Sequence, residues 1–123
     1  FDHLRLVAAA HGAADEGFAE RAEHLLDLFD LTERATFLPP QLSRGMRQKT
    51  ALACALIRPY SLLVLDEPVV GLDARAVTAL AGVIHDTVAA GSAVLLLTHS
   101  ETFAARVCTR SIHIDEGKVL DLE

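Results

Sequence analysis

Residues 62–68 read Leu62-Leu63-Val64-Leu65-Asp66-Glu67-Pro68, an apolar run followed by two carboxylates and a proline. The run predicts a β-strand from Ser61 to Leu65, and because apolar and polar residues do not alternate in it, both faces of the strand should be covered, as in a parallel sheet. Ligands of open α/β sheets bind at the carboxyl ends of the strands. Asp66 is therefore placed to hold Mg²⁺ through its waters, and Glu67 to orient or deprotonate an attacking water. Acidic residues also end strands for solubility alone, so other motifs must decide between these readings.

The residues that follow predict a helix and then a second apolar strand. Asp73 is expected to cap the helix and Gly91 to end it, and the strand is expected from Ala93 to Leu97. Apolar strands separated by a helix indicate a parallel sheet, so the fold class is α/β. The apolar stripe of the helix consists of Val77, Leu80, Ala81, Ile84 and Val88.

The end of the chain predicts a short antiparallel hairpin at a sheet edge. Ile112 and Ile114 alternate with polar residues, and Glu116-Gly117 then turns the chain into Val119 and Leu120.

Residues 1 to about 58 are predicted to be helical. Asp15 is a candidate N-cap of the second helix, Pro39 and Pro40 stop helix propagation, and an Ala- and Leu-rich helix is expected from Met46 to Ile57. We therefore divide the chain into a helical part, residues 1–58, and a sheet-containing part, residues 59–123. The stripes of the first two helices are Leu4, Val7 and Ala8, and Phe18, Ala22, Leu25, Leu26 and Phe29.

A second stretch with chemical potential is Leu42-Ser43-Arg44-Gly45-Met46-Arg47-Gln48-Lys49. It offers a hydroxyl, a glycine and free backbone N–H groups where a helix begins, which is a place to hold a phosphate. Arg44, Arg47 and Lys49 add local positive charge that would attract a small anion. The alternative for these three side chains is an ordinary solvated helix face.

Thr98-His99-Ser100 follows the second predicted strand. His99 should therefore emerge at the same edge of the sheet as Glu67, where its imidazole would touch a terminal phosphate or the attacking water.

Composition excludes several classes of protein. A chain of 123 residues with 51% apolar residues can bury a core, and its net charge of -6 argues against a nucleic-acid partner. Its apolar stretches are far shorter than the ~18 residues that cross a bilayer, so we expect a soluble protein. Cys54 and Cys108 lack metal-ligand spacing and are expected to be reduced thiols.

Taken together, these motifs resemble those of the nucleotide-binding subunit of an ATP-binding cassette (ABC) transporter. Leu42 to Met46 resembles the signature motif, and Leu62 to Asp66 the Walker B strand with Glu67 as the catalytic carboxylate. Gly71-Leu72-Asp73 is similar to the D-loop, and Thr98-His99 to the switch histidine. The resemblance implies part of a P-loop NTPase (RecA-like) parallel sheet, preceded by an α-helical subdomain.

The resemblance also implies a mechanism in which two subunits close head to tail around two ATP molecules. Asp66 would hold Mg²⁺, Glu67 would polarise the attacking water and His99 would contact the γ-phosphate. Asp73 would lie at the dimer seam. A membrane permease would be the other partner, placing the protein in the cytoplasm at the inner face of the cell membrane. The residues implied to bind the nucleotide of the partner subunit are Ser43, Arg44, Gly45 and Met46.

Two departures from the family pattern stand out. The usual signature reads Leu-Ser-Gly-Gly-Gln, whereas this chain has Arg44 and Met46 in place of the first glycine and the glutamine, a variant similar to that of exporters. The 123 residues also contain no Gly-x₄-Gly-Lys-Ser/Thr loop, the Walker A motif that cradles phosphates. We therefore expect the later part of a cassette, in which the complete protein hydrolyses ATP and residues 1–123 alone do not.

Three other interpretations stay open at this point. A soluble cassette ATPase of DNA repair or translation would share the four motifs, and the absence of a co-encoded permease would favour it. A non-enzymatic interaction module, docking a partner through its helical part, would need no Walker A loop. An unrelated Walker B ATPase would explain Asp66 and Glu67, but not Leu42 to Gly45.

Overall fold

The computed structural model describes residues 1–122, and the side chains of residues 1–120. The chain is helical up to residue 56 and mixed α/β thereafter, which confirms the predicted fold class. The division at residue 58 stays a prediction. The helices are α1 Asp2–Ala10, α2 Phe18–Leu28, α3 Arg44–Leu56, α4 Ala74–Ala89 and α5 Glu101–Val107; the strands are β1 Leu62–Asp66, β2 Ala93–Leu97, β3 Ile112–Asp115 and β4 Lys118–Leu122; and short 3₁₀ turns cover Thr32–Arg34 and Pro39–Gln41.

Strands β1 and β2 form a two-stranded parallel sheet joined by the crossover helix α4. The register pairs Leu62 with Ala93 and Asp66 with Leu97, so both strands end at the same edge. Strand β1 begins one residue later than expected and includes Asp66. The parallel register brings the residues that follow the two strands together.

Strands β3 and β4 form the predicted antiparallel hairpin, which is a separate sheet within residues 1–122. The expectation that it lies at the edge of the main sheet is therefore wrong for the described chain. Glu116 and Gly117 both have positive φ, 45° and 75°, as the tight turn between the strands requires.

The core is one cluster of buried side chains from helices α1 to α5 and strand β1. The stripes of α1 and α2 are buried as predicted, except that Val7 is only half-buried: Leu4 and Ala8, then Phe18, Ala22, Leu25 and Leu26, with Phe29 just beyond α2. In α4 the prediction is wrong for Val88, which is 47% exposed, because the buried face continues from Ile84 to Thr87 instead.

Only one face of the parallel sheet is covered within the described residues. Leu63 and Leu65 are 3% and 5% exposed, whereas Val64 between them is 54% exposed. Successive side chains of a strand point to opposite faces, and the helices pack against the face of Leu63. The prediction that both faces are covered is therefore wrong for this part of the chain. Leu62, Leu95 and Leu97 share the exposed face with Val64.

The helix starts were predicted with mixed success. Helix α2 is capped at Gly17, not at Asp15; the Asp15 carboxylate accepts a hydrogen bond from the Gly17 N–H at 3.0 Å, one turn before the helix. The Asp15 carboxylate also pairs with Arg21 at 3.0 Å, and this guanidinium lowers the pKa of Asp15.

Pro40 stands inside the 3₁₀ turn, where its fixed φ is tolerated. Among the helices of residues 1–122, none combines the length and hydrophobicity needed to span a bilayer.

Candidate functional site

The carboxyl ends of β1 and β2 place Glu67 beside His99, as the sequence predicts. The Glu67 N–H donates to the Leu97 carbonyl at 2.8 Å, which extends the pairing of the two strands by one residue. One oxygen of the Glu67 carboxylate, Oε1, accepts from the His99 backbone N–H at 2.9 Å and also contacts the imidazole Nδ1. The other oxygen, Oε2, accepts from the Thr98 hydroxyl at 3.4 Å. The end of β2 therefore fixes the orientation of the Glu67 carboxylate.

The two side chains differ in their access to a ligand. The His99 side chain is 98% exposed and that of Glu67 is 30% exposed. Because Nδ1 of His99 faces Glu67, the opposite ring nitrogen, Nε2, is the one presented outward. A carboxylate that is oriented by its neighbours and lies beside an accessible imidazole can handle a proton of a bound water.

The backbone of Glu67 adopts the left-handed conformation, with φ 44°. This conformation costs a non-glycine residue on the order of 1–3 kcal/mol, and it persists only where the surroundings enforce it. The following residue, Pro68, is fully buried and disfavours the right-handed helical conformation at Glu67. The Glu67 carbonyl accepts from the Val70 N–H at 3.2 Å, which holds the turn. The strain is thus stored at the residue that carries the proposed chemistry.

Asp66 is exposed at the end of β1, next to Glu67. No group of three or more His, Cys, Asp or Glu residues within the described chain is arranged to hold a metal ion. Mg²⁺ needs no such cage, since it is commonly bound by one or two carboxylates together with substrate phosphates and water. The donor set at Asp66 therefore fits Mg²⁺ that arrives with a nucleotide.

The turn at Ser43 begins α3. Ser43 is the N-cap, and its hydroxyl accepts from the Met46 N–H at 3.2 Å. Ser43 and Arg44 are exposed, while Gly45 and Met46 are half-buried. The first N–H groups of a helix lack intrahelical partners, so this turn can bind an anion.

The predicted cluster of three basic side chains does not form. Arg47 donates to the Leu42 carbonyl at 2.6 Å, which closes the turn on itself. Lys49 is only 8% exposed, and its ammonium lies 2.6 Å from Asp73 Oδ2. Five residues after Arg44, Lys49 has rotated to another side of the helix, because each residue turns an α-helix by about 100°. Arg44 and Arg47 are left as exposed cations of the turn.

Asp73 caps α4, as predicted, through Oδ1, which accepts from the Ala76 N–H at 2.8 Å. Its other oxygen binds Lys49, and this hydrogen bond is the main reason that the pKa of Asp73 lies below its ordinary value. The role of Lys49 was missed from the sequence. The available signal was its spacing, since Gly45, Gln48 and Lys49 share one helix face.

The structure thus places the predicted site residues in two groups. Asp66, Glu67 and His99 lie together at the edge of the sheet, and residues 43–46 lie at the start of α3, where Gly45 approaches Gly71 of the loop after β1. The described hydrogen bonds and ion pairs of residues 43–46 include none to Glu67 or His99.

A protein-family model described as "AAA domain, putative AbiEii toxin, Type IV TA system" matches residues 4–105. The chain is 35% identical over 118 residues to the "ABC-type transporter ATP-binding protein EcsA" of Bacillus subtilis, covering 96% of this chain and 48% of that protein. It is 40% identical to the "Nod factor export ATP-binding protein I" of Sinorhizobium fredii, covering 95% of this chain and 34% of that protein. It is 32% identical to the "Methionine import ATP-binding protein MetN" of Chromohalobacter salexigens, covering 98% and 35%.

A solved structure described as "Structure of ATP binding subunit of ABC transporter" superimposes with a TM-score of 0.92 at 34% identity. The match covers 99% of this chain and 51% of that one. The chain thus spans about half of the length of these two relatives, EcsA and the solved structure.

Proposed function

Because this chain belongs to the ATP-binding proteins of ABC transporters and has their P-loop NTPase fold, we propose that the protein carrying it hydrolyses Mg²⁺-bound ATP to drive transport across a membrane. The observation that carries the proposal is the Glu67 carboxylate at the end of β1, oriented by Thr98 and His99 from the end of β2. This placement suits a group that must hold an attacking water beside a phosphate.

The residues at the sheet edge have separate tasks in this reaction. Asp66 would hold Mg²⁺, which neutralises charge on the phosphate oxygens when it is bound. Glu67 orients the attacking water and accepts its proton. His99 presents Nε2 to the γ-phosphate while Nδ1 keeps the imidazole against Glu67. The imidazole is thereby held in one orientation before the nucleotide binds, which limits the entropy lost in the reaction.

The turn at Ser43 serves a second nucleotide, which is held by the partner subunit of a head-to-tail dimer. Ser43, Arg44, Gly45 and Met46 supply a hydroxyl, a cation and backbone N–H groups at an exposed helix start. Asp73 lies at the dimer seam. This proposal divides the chain into a helical subdomain, residues 1–58, and a part of the ATPase core, residues 59–123.

A membrane permease is the second partner, and it keeps the protein at the cytoplasmic face of the cell membrane. We assign the direction of transport as export, because Ser43-Arg44-Gly45-Met46 departs from Leu-Ser-Gly-Gly-Gln in the manner of exporter cassettes. The relatives include proteins named for export and for import, so the direction rests on this motif. The direction of transport is measured directly by comparing substrate uptake between everted and right-side-out vesicles that contain the permease.

ATP hydrolysis is tested on the gene product at the length that its reading frame encodes, and on residues 1–123 separately. The longer protein should show Mg²⁺-dependent hydrolysis, and Glu67→Gln should lower kcat by about 10²- to 10⁴-fold, the usual contribution of a general base. Residues 1–123 should be inactive, because they lack a Gly-Lys-Ser/Thr phosphate loop. Arg75→Gln is the control, since Arg75 lies in an exposed ion pair with Asp30. Full activity of Glu67→Gln would contradict the role given to Glu67.

A further inference from the structure

We infer that Lys49 is a positioning residue that fixes the turn at Ser43 against the loop of residues 68–73, and so links the two nucleotide sites to which one subunit contributes. The inference rests on the proposed function, because it assigns the Ser43 turn to the nucleotide of the partner subunit. Lys49 itself would touch neither nucleotide nor metal, and would act through Asp73 and the backbone that they join.

Three contacts connect the first turns of α3 to residues 68–73, and all three come from one helix face. The Lys49 ammonium lies 2.6 Å from Asp73 Oδ2. The Gln48 amide donates to the Pro68 carbonyl at 3.3 Å. Gly45 approaches the loop so closely that a Cβ atom there would lie 2.8 Å from the Gly71 carbonyl oxygen. The loop is therefore held at its beginning, its middle and its end.

The ion pair is the strongest of these contacts, because Lys49 is buried. Its side chain is 9% exposed, whereas that of Asp73 is 56% exposed. A buried ammonium without an anionic partner is costly, so Lys49 must keep Asp73 within reach. The second Asp73 oxygen caps α4 at 2.8 Å from the Ala76 N–H. One carboxylate therefore joins the start of α3 to the start of α4.

The loop that Lys49 holds begins directly after Glu67. A shift of residues 68–73 would displace Glu67, whose left-handed backbone depends on the hydrogen bond from Val70 in the same loop. A shift of the helix start would displace the Ser43 hydroxyl and the N–H groups beside it. With Lys49 in place the two segments move together. Closure of the Ser43 turn on one nucleotide therefore displaces Glu67, which lies beside the other nucleotide.

The inference is tested by kinetics of the gene product at its encoded length. Lys49→Gln should lower kcat by about 10- to 100-fold, as displacement of reacting groups by about an ångström does, with the KM for ATP changed by less than about twofold. Lys49→Arg should restore kcat to within about threefold, because a guanidinium can still reach the Asp73 carboxylate.

Two controls separate positioning from a general loss of stability. Arg75→Gln removes a cation from an ion pair whose side chains are 65% and 68% exposed, and it should leave kcat unchanged. Ile84→Val removes one methyl group from a core residue that is 2% exposed, so it lowers stability away from both segments. At a temperature where every variant is folded, Ile84→Val should retain the kcat of the wild type.

The outcomes of this experiment are distinct. Wild-type kcat in Lys49→Gln, or an equal loss of kcat in Ile84→Val, would overturn the inference. A wild-type protein without Mg²⁺-dependent hydrolysis would overturn the proposed function instead.

Amide hydrogen exchange would then decide the linkage itself. Lys49→Gln should speed exchange by about tenfold in both residues 44–47 and residues 69–73. An effect confined to one of these segments would contradict the linkage.

Discussion

Glu67 shows at the scale of one residue how a strand end becomes a functional site. Its proximity to His99 could be predicted, because neighbouring parallel strands of similar length end at the same edge. Its φ of 44° and its hydrogen bond from the His99 backbone could not. Both depend on the path of two turns, and turn geometry is set by tertiary contacts such as the burial of Pro68.

Asp73 gives a prediction about pH dependence at the same scale. Its pKa is lowered in the folded protein, chiefly by the hydrogen bond from Lys49 and then by the Ala76 N–H. A carboxylate whose pKa is lowered on folding contributes stability at pH values above its pKa in the unfolded chain, about 4. This stability is lost as the pH falls through its pKa in the folded protein. The stabilities of the wild type and Asp73→Asn should therefore converge as the pH falls below about 4.

Urea unfolding of residues 1–123 across that range measures the effect. Asp30→Asn is the matched control, because Asp30 also pairs with a cation, Arg75, but caps no helix. The expectation for Asp73 fails if Asp73→Asn keeps the same stability difference from the wild type at every pH.

At the scale of elements, helix α3 and helix α4 each contain a glycine. Replacing these two glycines by alanine should change the free energy of unfolding in opposite directions. At Gly45 an added Cβ would lie 2.8 Å from the Gly71 carbonyl oxygen, a backbone atom that must move. Gly45→Ala should therefore lower the free energy of unfolding by about 1–3 kcal/mol. Gly82 has no atom within 4 Å of an added Cβ, so Gly82→Ala should raise it by about 0.5–1 kcal/mol through helix propensity.

Chemical denaturation of the two variants measures both changes. A stabilising Gly45→Ala would show that the loop of residues 68–73 yields to α3, contrary to the close approach described above.

Helix caps show how far local sequence reasoning reaches. Asp73 was predicted as an N-cap and is one, because its carboxylate accepts from the Ala76 N–H in the first turn of the helix. Asp15 was predicted as an N-cap and instead binds the N–H of Gly17, the actual cap residue. An aspartate two residues before a glycine satisfies either arrangement locally. The buried position of Phe18, the first residue of α2, is consistent with packing having decided between them.

At the scale of the whole molecule, the described residues leave the parallel sheet with one covered and one exposed face, and neighbouring residues of β1 should report the difference. Leu63 is 3% exposed, so Leu63→Ala should lower the free energy of unfolding of residues 1–123 by about 2–5 kcal/mol. Val64 is 54% exposed, so Val64→Ala should lower it by less than about 1 kcal/mol.

Thermal or urea unfolding of the two variants provides the measurement. Equal losses would mean that the face of Val64 is covered in solution, for example by self-association, which analytical ultracentrifugation of the same samples would detect.

The sequence by itself determined the order of the strands and of every helix except α5, the α/β class, most of the buried stripes and the meeting of Glu67 with His99. These features follow from apolar periodicity and from the rule that parallel strands joined by a helix end at one edge. The family also follows from the sequence, because four motifs occur in their usual order.

Only the tertiary structure decided that Lys49 is buried against Asp73, that Gly45 abuts Gly71, and that one face of the sheet is left exposed. The first two depend on how α3 meets the loop of residues 68–73, and the third depends on which face of the strands the helices cover. A pattern along the chain specifies which side chains share a face. It does not specify what that face will meet, since that contact is made by residues distant in sequence.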